Sequence, residues 1–364
     1  MAAERLPGGP QDLTAEWLTA SLRETGTISD GTEVASFETE TIGEGAGLLG
    51  QLARVKLTYQ GADGAEPTRL IAKFPAAVEE NRDLANLLQF YEREVRFYEE
   101  IAEDVELRTP KRYFSRWDPE HGVFVLLMED MEPAAQVGNQ VAGCPPAQAM
   151  DTIERIARFH ASWWNNPKLP ALDWIPYGNA PVNQSVEQTY QDGWPTFLLN
   201  FGNRLSPRAM GAAERLSTKI IAIQNEITKP PLTICHGDLR YDNLFFGPGE
   251  MAVADWQIIS RARGPYDVGY FMSQSVNTDD RKACEMDVIR RYHDTLVECG
   301  VRNYSFDECL RDYRVAVMYC LVYPVISGGT LDLANERGLA LVTAMLDRSV
   351  ATIVDLDCDE LIPD

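Results

Sequence analysis

One run constrains the fold of this chain more than any other: His236-Gly237-Asp238-Leu239-Arg240-Tyr241-Asp242-Asn243, followed by an apolar strand, Met251-Ala-Val-Ala254, that delivers Asp255. An isolated HxD pair would suit a capped turn, and an isolated DxxxxN spacing arises by chance. The whole segment followed by Val253-Ala-Asp-Trp-Gln257 is far more restrictive. It demands a loop and short strands set into a region whose flanks read as helices. With 364 residues, the chain can hold one large domain or two cooperating lobes with substantial cores.

Upstream of that run the pattern is short strands. Val34 to Thr41 is strand-like and leads into Gly43-Glu-Gly-Ala-Gly-Leu-Leu-Gly50; Leu52 to Tyr59 then places Val55, Leu57 and Tyr59 on one face. Gly61-Ala-Asp-Gly64 marks a turn before the extended segment Arg69-Leu-Ile-Ala-Lys-Phe-Pro75. A helix is predicted over Asn81 to Glu103, with Leu84, Leu88, Tyr91, Val95 and Tyr98 as its apolar stripe. Tyr113-Phe114 and Val123 to Met128 complete a small mixed lobe. Near Glu129-Asp-Met-Glu-Pro133 the pattern changes to longer helices, predicted over Ala147 to Trp164, Gly211 to Glu226, Asp280 to Glu298, Asp307 to Tyr323 and Leu331 to Leu346. The expected division is therefore 1–128 and 129–364, with the acidic end Asp355-Leu-Asp-Cys-Asp-Glu360 as a solvated tail.

Gly45-Ala-Gly-Leu-Leu-Gly50 matches GxGxxG, a weak signal alone. A dinucleotide fold needs a helix directly after it, and here a strand follows. A P-loop needs Lys-Ser/Thr where this chain has Gln51-Leu52. A plain glycine hairpin is the commonest use of such a run. A strand-turn-strand cover over ATP, with Gly43, Gly45 and Gly47 permitting close backbone approach, fits the neighbouring strands better. Lys73 could reach the phosphates from its strand, with Glu94 in the next helix to orient it. Glu94 lies four residues from both Phe90 and Tyr98, near the packed side of that helix, whereas Glu92 points elsewhere. Around the lobe boundary, backbone groups of Glu129 and Met131 could meet adenine and Met128 could supply apolar contact.

The loop supplies the chemistry. Phosphoryl transfer leaves the protein little covalent work, so it depends on positioning and on divalent cations. Asn243, suited to binding a metal, lies five positions after Asp238, suited to orienting an acceptor hydroxyl; Asp255 can direct its oxygens toward Mg2+ on the phosphates. Asp242 is expected to face solvent or brace the turn, His236 to orient the loop, and Cys235 to be a buried strand cysteine. His160 is expected to be packed and hydrogen-bonded.

On these residues the chain resembles the aminoglycoside phosphotransferase and choline-kinase-like superfamily, closest to the ecdysteroid-kinase-like branch and related bacterial phosphotransferases. The resemblance runs from about Phe37 to Met345. It rests on the glycine turn, LIAKF, Phe90-Tyr-Glu-Arg-Glu-Val-Arg-Phe-Tyr98, VLLMEDM, IERIARFHASWW, ICHGDLRYDNLFF and VADWQ. It implies an α+β, bilobal protein-kinase-like fold with a mixed N-terminal and a mainly helical C-terminal lobe. It also implies transfer of the γ-phosphoryl group of ATP, with Mg2+, to a small-molecule hydroxyl. Under it Asp238 is the base or orienting group, Asn243 and Asp255 ligate metal, and Lys73 with Glu94 positions phosphate. Gly237 stands where protein kinases carry arginine, and Trp256-Gln257 where they carry Phe-Gly, which weakens a protein-substrate assignment. Gly264-Pro-Tyr-Asp-Val-Gly-Tyr270 also follows the family pattern, with Asp267 expected to brace the core by hydrogen bonding.

The formal charge of -22, from 33 basic and 55 acidic residues, repels nucleic acid and anionic membranes. No signal-peptide core or membrane-length apolar stretch is found, and seven scattered cysteines fit reduced thiols in the cytoplasm. Trp163, Trp164, Trp174, Tyr177, Tyr190, Trp194 and Phe197 offer packing or an apolar acceptor pocket, while Asp173, Glu187 and Asp192 are only scattered acids. A weakly charged alcohol is therefore favoured over a polycationic aminoglycoside. A protein kinase and a noncatalytic ATP-binding scaffold are the remaining alternatives. Homo-oligomerisation is not readable from the sequence.

Overall fold

The computed structural model describes residues 5–43, 49–330 and 335–363. The predicted site residues Gly45 and Gly47, and Leu331 at the start of a predicted helix, lie outside them. In chain order the elements are α1 (Ala15–Glu24), β1 (Glu33–Ile42), β2 (Gly50–Gln60), β3 (Arg69–Pro75), α2 (Glu79–Leu87), α3 (Phe90–Glu100), β4 (Arg112–Asp118), β5 (Val123–Glu129) and β6 (Gln136–Val137). Then follow α4 (Pro146–Trp163), α5 (Ser185–Phe201), α6 (Pro207–Leu216), α7 (Ile220–Ile227), β7 (Thr233–Cys235), β8 (Leu244–Gly247), β9 (Glu250–Val253) and β10 (Ser260–Ala262). The last helices are α8 (Pro265–Ser275), α9 (Thr278–Glu298), α10 (Phe306–Cys320), α11 (Val322–Thr330) and α12 (Glu336–Asp355).

The described chain clusters into two compact units. One comprises residues 1–104, 108–136 and 247–257; the other comprises 105–107, 137–246 and 258–364. The return of residues 247–257 to the first unit has a local cause. Val253 donates its backbone N–H to the Arg108 carbonyl at 2.9 Å, and the Trp256 ring stacks on Phe97 with centroids 3.9 Å apart.

In the first unit, five antiparallel strands run in the order β1-β2-β3-β5-β4. Strand alternation decides which face each side chain takes. Leu70, Ala72 and Phe74 of β3 join Val55 and Leu57 of β2 in a core closed by Trp17, Leu18 and Leu22 of α1. Thr14 caps α1 by accepting the Trp17 N–H at 3.0 Å. Lys73, out of phase with that apolar set, is sent to the other face. There Tyr91 of α3 stacks on Phe124 at 4.5 Å, and its hydroxyl accepts from Ala76 N at 2.9 Å.

The single helix predicted over Asn81 to Glu103 is two helices, broken where Gln89 takes a left-handed conformation at φ 60°. The break takes α2 out of the register of α3. Leu84, expected in the apolar stripe, is 45% exposed, whereas Phe90, Tyr91, Glu94, Val95, Phe97 and Tyr98 are buried.

The second unit is mainly helical. All eleven residues of α8 are buried, which makes it the central element. Helix α5, in a stretch for which no helix was expected, runs through Pro195. An interior proline costs a helix about 3 kcal/mol. Packing offsets that cost: Tyr190, Trp194, Phe197 and Phe201 stack in succession along α5, with centroids 5.7, 5.4 and 5.7 Å apart. The close crossing of α5 and α11 needs glycine, because a Cβ on Gly329 would stand 2.4 Å from the Gly193 carbonyl oxygen. The predicted helix Gly211 to Glu226 is α6 and α7, separated at residues 217–219, and Asp307 to Tyr323 is split between α10 and α11.

The acidic end is not a solvated tail. Arg208 reaches Asp357 and Asp359, each at 2.6 Å, Arg314 donates to the Asp357 carbonyl at 2.7 Å, and Cys358 is buried. Net acidity suggested mutual repulsion, but these arginines, distant in sequence, neutralise it locally.

Candidate active site

Each unit carries a polar cluster built from predicted site residues. In the first, Lys73 lies on β3 and Glu94 on α3, both buried. The Lys73 ammonium lies 2.9 Å from Glu94 Oε1, 2.7 Å from Oε2, and 2.8 Å from Asp255 Oδ1. Two carboxylates on one ammonium leave a surplus negative charge. Burial disfavours the Lys73 charge, but Asp255 and then Glu94 outweigh it and raise the lysine pKa. Burial pushes the Glu94 carboxyl up to about 7; Lys73 opposes this and Asp255 adds to it. Lys73 thus pairs with both carboxylates at nearly equal distance. Asp255 adopts φ 67°, a left-handed conformation uncommon away from glycine. It is fixed between β9 and Trp256, whose indole N–H donates to the Val253 carbonyl at 3.1 Å.

The hinge-like residues belong to the same unit. Met128 is buried opposite Ile71 of β3. The Glu129 N–H is engaged by the Lys111 carbonyl at 2.8 Å, and its carboxylate takes Arg108 at 2.8 and 2.7 Å. Met131 accepts the Ala135 N–H at 2.9 Å. Gly43 adopts φ 71° at the end of β1.

In the second unit, β7 pairs antiparallel with β10 and delivers the His236-Gly237-Asp238 loop. Asp267, at the start of α8, accepts the backbone N–H groups of His236 at 2.7 Å and Gly237 at 3.0 Å, and meets His160 Nε2 at 3.1 Å. This is the bracing expected of Asp267. His160 is fully buried, with Nδ1 2.9 Å from the Tyr292 hydroxyl. His236 Nδ1 accepts the Asp238 N–H at 3.2 Å, which orients the loop.

Asp238 is held by fixed donors on both oxygens. Tyr270 donates to Oδ1 at 2.7 Å; Arg240 Nε and Asn243 Nδ2 donate to Oδ2 at 3.0 and 3.1 Å. Asn243 Nδ2 also donates to the Asp238 carbonyl at 2.9 Å, so two acceptors on the amide nitrogen turn its carbonyl oxygen away from them. Asp242 braces the turn by accepting the Gln140 N–H at 2.7 Å. Tyr270 and Arg240 were not singled out from the sequence. Arg240 stands inside the loop motif, and Tyr270 lies three residues after Asp267 on the helix that clamps the loop.

His160, Cys235 and Asp267 offer ligand atoms within 4.8 Å of one another, but His160 and Asp267 are already engaged in bracing the loop: the imidazole meets Tyr292 and Asp267, and Asp267 accepts the His236 and Gly237 amides. All seven cysteines are free.

Gly237 explains the departure from arginine at this position. It adopts φ 87°, and a Cβ there would stand 2.2 Å from the Ile258 carbonyl oxygen. Gly237→Ala is expected to lower unfolding stability by roughly 2–4 kcal/mol, from backbone strain plus overpacking. Denaturant unfolding showing a loss below about 1 kcal/mol would contradict this account of the glycine.

The bilobal α+β fold is kinase-like. The chain belongs to the ecdysteroid kinase-like family, whose profile matches residues 44–302. Among solved structures, choline kinase from Cryptosporidium parvum aligns with TM-score 0.56 at 9% identity, covering 95% of this chain and 98% of its own. A provisionally assigned aminoglycoside phosphotransferase from Ralstonia eutropha aligns with TM-score 0.53 at 14% identity, covering 96% and 99%. The GDP and kanamycin complex of APH(2")-IIIa aligns with TM-score 0.51 at 13% identity, covering 93% and 99%. At these identities the structural likeness is one of fold. No curated protein matches the sequence. No helix among the described residues is long and apolar enough to cross a membrane.

Proposed function

We propose that the protein transfers the γ-phosphoryl group of ATP, with Mg2+, to a hydroxyl of a small molecule. The observation that carries this reading is the buried Lys73 ammonium, fixed by Glu94 of α3 and by Asp255. A strand lysine held by a helix carboxylate is the arrangement that positions nucleotide phosphates. Asp238 orients the acceptor hydroxyl and takes its proton. Asn243 and Asp255 offer hard oxygen donors, which suit Mg2+, and Asp255 belongs to a cluster with surplus negative charge. Mg2+ would neutralise charge on the phosphates. Gly43, Gly45 and Gly47 cover the nucleotide; Met128, Glu129 and Met131 serve its base, with the Glu129 N–H already engaged by Lys111.

For the acceptor, a weakly charged alcohol fits better than a polycation. Of the ring row on α5 the half-buried Trp194 is the member left partly accessible, an apolar surface, and the Glu187 carboxylate accepts the Ile221 N–H at 3.1 Å. A screen of metabolite extracts for an ATP-dependent phosphate mass increment tests the function. Phosphate appearing on protein and on no small molecule would favour a protein kinase, and nucleotide binding without any transfer would favour a scaffold.

Lys73→Met is expected to impair phosphate positioning, raising the nucleotide KM and lowering kcat. It also strands Glu94 without its cation, a buried-charge penalty of about 3–5 kcal/mol before the carboxyl takes up a proton. The companion Lys73→Met/Glu94→Gln variant should recover stability without recovering turnover. Normal turnover with unchanged ATP dependence in either variant would remove Lys73 from the site.

A further inference from the structure

We propose that Tyr270 is a positioning residue for phosphoryl transfer, setting through its hydroxyl the direction in which Asp238 presents its free lone pair. The inference rests on the reading of Asp238 as the group that orients the acceptor. A carboxylate offers about four acceptor positions. Three bonds occupy Asp238: Tyr270 on Oδ1 at 2.7 Å, with Arg240 at 3.0 Å and Asn243 at 3.1 Å on Oδ2. If only the two Oδ2 donors were present, the carboxylate would be anchored at one oxygen and could rotate about it. The Tyr270 hydroxyl anchors the other oxygen and leaves one defined direction for an incoming hydroxyl. A misplacement of about 1 Å in such a contact costs on the order of 100-fold in rate.

Tyr270 is itself held rigidly. It sits on α8, the helix whose Asp267 clamps the His236 and Gly237 amides, so loop and carboxylate are referenced to one element. Its ring packs on Tyr323 of α11 with centroids 4.7 Å apart. The Tyr323 hydroxyl hydrogen-bonds that of Tyr266, which donates to the Gly237 carbonyl at 3.2 Å. The buried Tyr266 and Tyr270 and the half-buried Tyr323 thus form one connected group beside the loop, and Tyr270 alone among them reaches the carboxylate. Burial, then the Asp238 charge, keeps its phenol protonated and able to donate.

Tyr270→Phe keeps the ring and removes the hydroxyl. With Mg-ATP and the acceptor found by the extract screen, kcat should fall about 10- to 100-fold while both KM values change little. In an Asp238→Asn background the same substitution should cost nothing further, because its effect runs through the carboxylate. A crystal structure of Tyr270→Phe should show the Asp238 carboxylate turned toward Arg240. Wild-type kcat, equal losses in both backgrounds, or an unmoved carboxylate would overturn the proposal. Tyr270→His, which keeps a ring N–H, is the second variant should the first not fold. An Asp238 carboxylate left undisturbed there, despite loss of the contact, would equally overturn it. If the wild-type protein transfers no phosphate to any acceptor, the proposed function fails, and the two structures still decide whether Tyr270 directs Asp238.

Discussion

Replacing Asp238 by asparagine should slow single-turnover phosphoryl transfer by roughly two to four powers of ten while Mg-ATP binding persists. The substitution keeps the size of the side chain and part of its hydrogen bonding: an amide oxygen in the place of Oδ2 still accepts from Arg240 and Asn243, and the amide nitrogen in the place of Oδ1 donates to the Tyr270 hydroxyl instead of accepting from it. It loses the carboxylate that accepts the proton. Measuring one turnover separates chemistry from product release, and calorimetry confirms that nucleotide still binds. A near-normal single-turnover rate in a folded variant would overturn the role assigned to Asp238.

Replacing Asp255 by alanine should cost on the order of 10²–10³-fold in turnover and abolish the magnesium dependence of nucleotide binding. Two effects would be mixed in that result. Alanine loses the carboxylate that holds Lys73 at 2.8 Å, and it also tolerates the φ of 67° less well than aspartate does. Asparagine adopts left-handed backbone readily, so Asp255→Asn isolates the loss of charge. Magnesium titration of both folded variants, read by calorimetry, is the measurement. If metal dependence is unchanged in both, Asp255 is not a metal ligand.

The legible parts of this molecule share one property: their meaning is local. The His236–Asn243 run carries its own turn, its own spacing and its own bracing histidine within eight consecutive positions. The period-two pattern of β3 sends Leu70, Ala72 and Phe74 to the core face and Lys73 to the other, and that could be read directly. Choosing Glu94 over Glu92 worked for the same reason, since helical spacing alone puts Glu94 on the packed side. The helix itself was drawn too long, because nothing in its apolar stripe announces a left-handed Gln89. Helix α5 was not among the predicted helices; it runs through Pro195 and is held by its stacked rings.

Sequence by itself determined the kinase-like class, the strand that carries Lys73 and the loop that carries Asp238, because each is encoded by short-range periodicity or contiguous motif. Only the tertiary structure decided the partners. Asp255 meets Lys73 across 182 residues, Tyr270 meets Asp238 across 32, and Arg208 meets Asp359 across 151. Such pairings are set by which buried groups must find a counter-charge or a donor once the chain has collapsed. That is a property of the packed whole, since an unmatched polar group costs free energy only after water has been removed from around it.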